Sequence, residues 1–110
     1  MEVGDLTALR DFIDVDDVAA ALEAVGSRGR AGEIYNVGSG RAVPVRRVLD
    51  ILLSLSRKDI EVRRAKRASH SGGLKRISAD VSKLRKASGW SPRVPLEASL
   101  ARTLDSWRRA

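Results

Sequence analysis

Apolar residues at Val15, Val18, Ala19, Leu22 and Val25 recur at the spacing of one helical face. Asp14, Asp16 and Asp17 crowd the start of that stretch, where carboxylates cap free backbone N–H groups and oppose the helix dipole; Gly26, Ser27 and Gly29 supply a stop. The pattern predicts a helix over residues 14–27, after a short extended segment at 9–13. Residues 33–37, Glu33-Ile34-Tyr35-Asn36-Val37, then alternate polar and apolar as a half-buried strand does, and Gly38-Ser39-Gly40 ends them. A second helix starts near Pro44, whose fixed φ suits a first turn, and buries Val45, Val48, Leu49, Leu52 and Leu55 before ending near Arg57.

Ile60-Glu61-Val62 reads as another short strand, and residues 63–76 have almost no periodicity but carry Ser69, Ser71, Gly72 and Gly73, which predicts a mobile loop. Asp80 precedes a short helix over 81–88 closed by Gly89, and Trp90-Ser91-Pro92 with Val94-Pro95 makes an irregular connection. A last helix over 96–108 buries Leu96, Leu100, Leu104 and Trp107. The expected fold is a small α/β or α+β layer unit, two or three short strands among about four helices. Strands this few and short suit the edge of a larger sheet.

Length and composition narrow the class. At 110 residues the chain fits one domain and falls below the size at which a cofactor domain and a substrate domain coexist. With 43% apolar and 32% charged residues, disorder and a membrane-spanning chain are both disfavoured. Apolar runs such as Ile51-Leu52-Leu53 fall far short of the roughly 20 residues a bilayer requires, and no signal pattern opens the sequence, so a cytoplasmic protein is expected. With no cysteine and only His70 as histidine, disulfide scaffolds, thiolate metal sites and histidine clusters are excluded.

The net charge of +7 is concentrated between Arg57 and Lys86, where eleven Lys or Arg residues face only Asp59, Glu61 and Asp80. Such a stretch attracts anions, be they nucleotide diphosphates, nucleic acid or an acidic protein. It serves equally as a solvated basic surface.

The candidate chemistry is sparse. Gly38-Ser39-Gly40 mimics the start of a dinucleotide-binding fingerprint, but Val43 stands where the third glycine belongs and Pro44 follows it, so the turn reads as a plain connection. Tyr35 has Ser39, not a lysine, four residues on, and its polar neighbours suggest a packed side chain. His70 lacks an obvious acidic partner and reads as solvated; Asp14, Asp16 and Asp17 are better explained by a helix start than by a metal. Trp90 and Trp107 read as core aromatics. Arg10, beside a short strand with apolar neighbours, is placed either for bidentate phosphate contact or for pairing with Asp11 or Asp14.

Four phrases in order look like the signposts of one family: residues 10–18 (RDFIDVDDV), residues 32–40 (GEIYNVGSG), Asp80-Val81-Ser82-Lys83-Leu84, and Gly89-Trp90-Ser91-Pro92. They resemble the C-terminal, substrate-binding portion of extended short-chain dehydrogenase/reductases of the NAD-dependent epimerase/dehydratase family. Residues 32–53 are most similar to the branch of GDP-mannose 4,6-dehydratases and GDP-4-keto-6-deoxymannose reductases.

The resemblance implies a segment that caps a Rossmann domain, with the nucleotide diphosphate bound between the two and the sugar pointing at NAD(P). It implies Arg10 on the diphosphate and Asn36 and Arg67 as further substrate-binding residues. Asp16 departs from the family pattern, and the arginine-proline-acid phrase expected before Asp80 is missing, with Arg67 the candidate replacement.

The glycine-rich cofactor loop and the catalytic tyrosine-lysine pair are not in this sequence, so no catalytic residue and no cofactor site is expected within it. NAD or NADP would enter only with a Rossmann domain, and the expected protein partner is a Rossmann-domain chain or a second copy of this chain. The expected function is a truncated or split nucleotide-sugar dehydratase, epimerase or reductase module that at most binds a nucleotide-diphosphate sugar. The alternatives are a basic binding module for nucleic acid or an acidic protein, and an enzyme with a new active site in this fold. Nucleic acid is the weaker, since aromatic platforms and a reading helix are lacking.

Overall fold

Four helices and four short strands make up the described residues of the computed structural model, 1–65 and 75–110. In chain order these are β1 (Glu2–Val3), β2 (Leu9–Asp11), α1 (Val15–Arg28), β3 (Ala42–Pro44), α2 (Val45–Leu55), β4 (Arg63–Arg64), α3 (Ser82–Ser88) and α4 (Leu96–Arg109). The α/β class and the four helices agree with the sequence, but the strands are differently placed. β1 pairs in parallel with β4, and β2 pairs antiparallel with β3, with Arg10 opposite Val43 and Asp11 opposite Ala42. On its other side β2 meets the chain at Lys75 to Ile77: Leu9 N–H donates to Lys75 O at 2.8 Å, and Leu9 O accepts from Ile77 N–H at 3.0 Å.

The two middle strands expected from alternation need correction. Residues 33–37 are not a strand: Ile34 is exposed while Tyr35 and Val37 pack on the core, so the alternation is real, but among the described residues no neighbour supplies a ladder. The segment is held by side chains instead. Lys83 Nζ donates to Glu33 and to Ile34 O at 2.6 and 2.8 Å, and Tyr35 Oη accepts from Arg30 N–H at 3.0 Å. The second strand lies at Arg63–Arg64, just beyond the expected 60–62, because β1 pairs there. Residues 66–74 of the expected loop, His70 and Arg67 included, lie outside the described residues.

The fully buried apolar core is small: Ala21, Val81, Leu84 and Trp90, with Ile13, Val25, Tyr35 and Val37 against it. This corrects the expected face of α1 in part: Val25 packs on the core and Val18 is half-buried, but the rest of the stripe turns outward. Val15 and Leu22 are 75% and 65% exposed, and the buried side is Asp17 and Ala21, where the small alanine lets Leu84 and Trp90 approach closely. Asp14 caps α1 as expected, accepting from Asp16 N–H at 2.8 Å, and Gly89 closes α3 in the left-handed conformation (φ 73°).

α2 packs on α4 through half-buried leucines with no fully buried residue on either helix. Trp107, expected in the core, is 76% exposed in the last turn of α4. The chain is slab-shaped, 48 × 35 × 19 Å, with a Cα radius of gyration of 16.6 Å. A self-contained domain of this length has about 13 Å.

Candidate functional site

Arg10 lies mid-strand in β2, half-buried, with its guanidinium donating to Leu9 O at 2.8 Å. Neither acidic neighbour engages it. Asp14 pairs with Arg102 at 2.7 Å, and Asp11 turns to the opposite loop, so both ion-pair readings of Arg10 are corrected.

Asp11 is the clasp of the site. Its Oδ1 accepts from Ser39 N–H at 2.8 Å and from Ser39 Oγ–H at 2.5 Å, while its Oδ2 accepts from Gly40 N–H and from Ala79 N–H, both at 3.0 Å. Burial raises the carboxyl's pKa, but these four donors together outweigh it and hold it below the ordinary 3.8. The turn requires its glycines: a Cβ on Gly38 would stand 2.6 Å from the Ala79 Cβ, and Gly40 has a φ of +77°. The amides of a glycine-rich turn make an anion cradle, and here Asp11 occupies it. The described residues therefore do not fit a dinucleotide pyrophosphate at this turn.

Beside the turn opens a cleft of about 430 Å³. Phe12, Val43, Pro92 and Leu96 supply apolar wall, and Arg41, Arg47, Arg85 and Arg93 supply charge. Only Arg47 among these four has a carboxylate partner among the described residues, Glu97 at 2.8 Å.

Of the three substrate-binding candidates, Arg10 is held on a strand, Asn36 is exposed in the irregular segment before the glycine turn, and Arg67 falls outside the described residues. Sequence reasoning missed Asp17. Its side chain is buried and its two oxygens accept from Arg93 N–H at 3.0 Å and Val94 N–H at 2.9 Å, while its carbonyl accepts from Trp90 Nε1 at 3.1 Å. Arg102 was missed too: it grips Asp14 and Asp16 together at 2.7 and 2.8 Å. The local sequence held no signal for either, because the partners are more than seventy residues away. Among the described residues no cluster of three or more His, Cys, Asp or Glu side chains suits a metal. Among them no helix is long and apolar enough to cross a membrane.

Residues 1–38 match the NAD dependent epimerase/dehydratase family. The chain is 31% identical over 107 residues to GDP-6-deoxy-D-mannose reductase of Pseudomonas aeruginosa, covering 97% of this chain and 35% of that one. It is also 31% identical to dTDP-glucose 4,6-dehydratase of Streptomyces griseus, covering 92% of this chain and 30% of the other. Its fold superposes on RMD from P. aeruginosa complexed with NADPH with a TM-score of 0.88, at 33% identity over all of this chain and 36% of that one. The corresponding values for UDP-glucose 4-epimerase of Thermotoga maritima with UDP-glucose are 0.87, 28%, 99% and 35%. The chain thus spans about a third of the length of the relatives it matches. In sequence and fold the chain is thus similar to about a third of these enzymes, consistent with the C-terminal portion of an extended short-chain dehydrogenase/reductase of the NAD-dependent epimerase/dehydratase family.

Proposed function

We propose that this chain forms the substrate side of a nucleotide-sugar dehydratase, epimerase or reductase, holding the diphosphate of a nucleotide-linked sugar through Arg10, and that it is not catalytic alone. The observation that carries this reading is Arg10 itself: a half-buried guanidinium fixed on a paired strand and free of any carboxylate among the described residues, in a chain aligned along 97% of its length with a GDP-6-deoxy-D-mannose reductase. A guanidinium so placed keeps its charge and presents two parallel donors to a phosphate. Asn36 and Arg67 are further polar contacts to the substrate under the same reading.

The hydride chemistry belongs to NAD or NADP, which a Rossmann-type partner brings. That partner would also cover the outward apolar stripe of α1, where Val15 and Leu22 lie exposed. Such a reading places the protein in the cytoplasm. Within the enzyme the residues described here bind and orient the substrate and move no proton.

Calorimetric titration of GDP into the chain and its Arg10→Ala and Arg10→Lys variants, with thermal melts of each, tests the proposal. The loss of one charge-assisted contact weakens binding roughly ten- to a hundredfold in Arg10→Ala, with partial recovery in Arg10→Lys. Equal affinities across the three proteins would remove the reading. So would tight NADP binding, or turnover of GDP-mannose, by the chain alone.

A further inference from the structure

Arg10 rides on a strand whose backbone does little to hold its register. β2 is three residues long, and at one end Leu9 lies opposite Pro44, which has no N–H to donate. Among the described residues the backbone bonds on its far side, to Lys75 and Ile77, both fall on Leu9. Successive side chains of a strand point to opposite faces, so a slip of one residue would turn Arg10 to the face that Asp11 now holds. The bond from the Arg10 guanidinium to Leu9 O does not prevent this, because donor and acceptor are neighbours on one strand and move together.

Asp11 does prevent it. Its carboxylate accepts from Ser39 N–H, Ser39 Oγ–H, Gly40 N–H and Ala79 N–H, donors that lie twenty-eight or more residues along the chain. The turn is closed tightly around it, since a Cβ on Gly38 would stand 2.8 Å from Asp11 Oδ2. A guanidinium has no acceptor, so an arginine slipped into that place would face four donors and satisfy none. The four donors therefore discriminate between the two registers, which the short ladder by itself does not.

We propose, on the reading of Arg10 as a diphosphate ligand, that Asp11 is a positioning residue: its carboxylate fixes the register of β2 and so sets the face on which the Arg10 guanidinium meets the ligand. Asp11 stays on the opposite face of the strand and acts through Arg10.

The test uses the full chain, isotopically labelled, with two readouts. Cross-strand Overhauser contacts between Arg10 and Val43 report the register, with those between Val3 and Arg64 as the internal control. GDP titration, corrected for the folded fraction from thermal melts, reports the ligand. In Asp11→Asn the Arg10–Val43 contact should weaken while the Val3–Arg64 contact persists. GDP affinity should fall about three- to tenfold, because only a fraction of the molecules then present Arg10 correctly. Ser39→Ala, which removes a single donor, should change both readouts in the same direction by less, and it carries the test if Asp11→Asn does not fold. In an Arg10→Ala background Asp11→Asn should cost no further affinity. The same loss in both backgrounds, or an intact Arg10–Val43 contact with unchanged affinity, would overturn the proposal while leaving the Arg10 reading in place. An Arg10→Ala variant that binds GDP as the parent does would instead overturn the Arg10 reading, and the positioning role with it.

Discussion

Asp11 Oδ1 accepts both the backbone N–H and the Oγ–H of Ser39, tying the strand that carries Arg10 to a turn twenty-eight residues away. Since Asp11 Oδ2 also takes the Gly40 and Ala79 amides, one carboxylate joins three separate stretches of chain. Asp11→Asn replaces an acceptor oxygen with an NH₂ that faces donors. It should destabilise the fold by about 2–4 kcal/mol, read as a fall in the urea midpoint. Gly38→Ala should cost a similar amount for a steric reason, because the Ala79 Cβ and the Asp11 Oδ2 lie 2.6 and 2.8 Å from the new methyl. An unchanged midpoint in both variants would mean that the clasp does not form in solution.

Acid should loosen the junction between α1 and α4. Arg102, then Ser99, hold the Asp14 carboxyl down to about 2 from the ordinary 3.8. A depressed carboxyl stabilises the fold above its unfolded value, so this contribution is present above 3.8 and is lost as the pH falls towards 2. Solvent screens the pair, because the Arg102 side chain is 56% exposed, and the contribution is on the order of 1–2 kcal/mol. Melts of the chain and of Arg102→Met between neutral pH and pH 2 check it, at about one-unit steps: the two should differ at pH 6 and converge at the acid end. A constant difference would exclude Asp14 as the titrating group.

Asp17 should report through Trp90. Asp17→Asn leaves one of the Arg93 and Val94 amides facing a donor and should destabilise by about 2 kcal/mol. Because Trp107 is 76% exposed and would obscure the signal, the measurement belongs in a Trp107→Phe background, which should itself be nearly neutral. There the emission of buried Trp90 should shift to the red at a lower denaturant concentration in the Asp17 variant. A coincident transition would show that the Asp17 contacts to Arg93 and Val94 contribute nothing.

The outward stripe of α1 should make the isolated chain self-associate. Val15 and Leu22 lie exposed one above the other, and burying them against a second surface is favourable. Sedimentation velocity across a hundredfold range of concentration, near 1 μM to 100 μM, should show a rising weight-average coefficient that Val15→Lys/Leu22→Lys flattens without lowering the melting temperature. A concentration-independent monomer would leave the stripe with no partner among copies of the chain.

What the sequence determined by itself was local. The caps and stops of the helices were legible at Asp14, Pro44 and Gly89, because a helix end is decided by residues within a turn of it. Gly38-Ser39-Gly40, read as a plain connection, is gripped by Asp11 from a distant strand, while the packed state of Tyr35 and Trp90 was legible in the sequence. So was the family likeness, which rests on phrases and not on contacts.

Tertiary structure decided the rest. Which face of α1 is buried depends on α3 and Trp90 arriving against Ala21, and they turn the apolar stripe of Val15 and Leu22 outward. Residues 33–37 have the alternation of a strand but become one only where a neighbour offers a ladder, and hydrogen bonds across a sheet are invisible in either segment alone. Asp17 looked like one more helix-start carboxylate until the loop at Arg93 and Val94 closed on it. A carboxylate's role is set by the donors that reach it, and those donors come from distant parts of the chain.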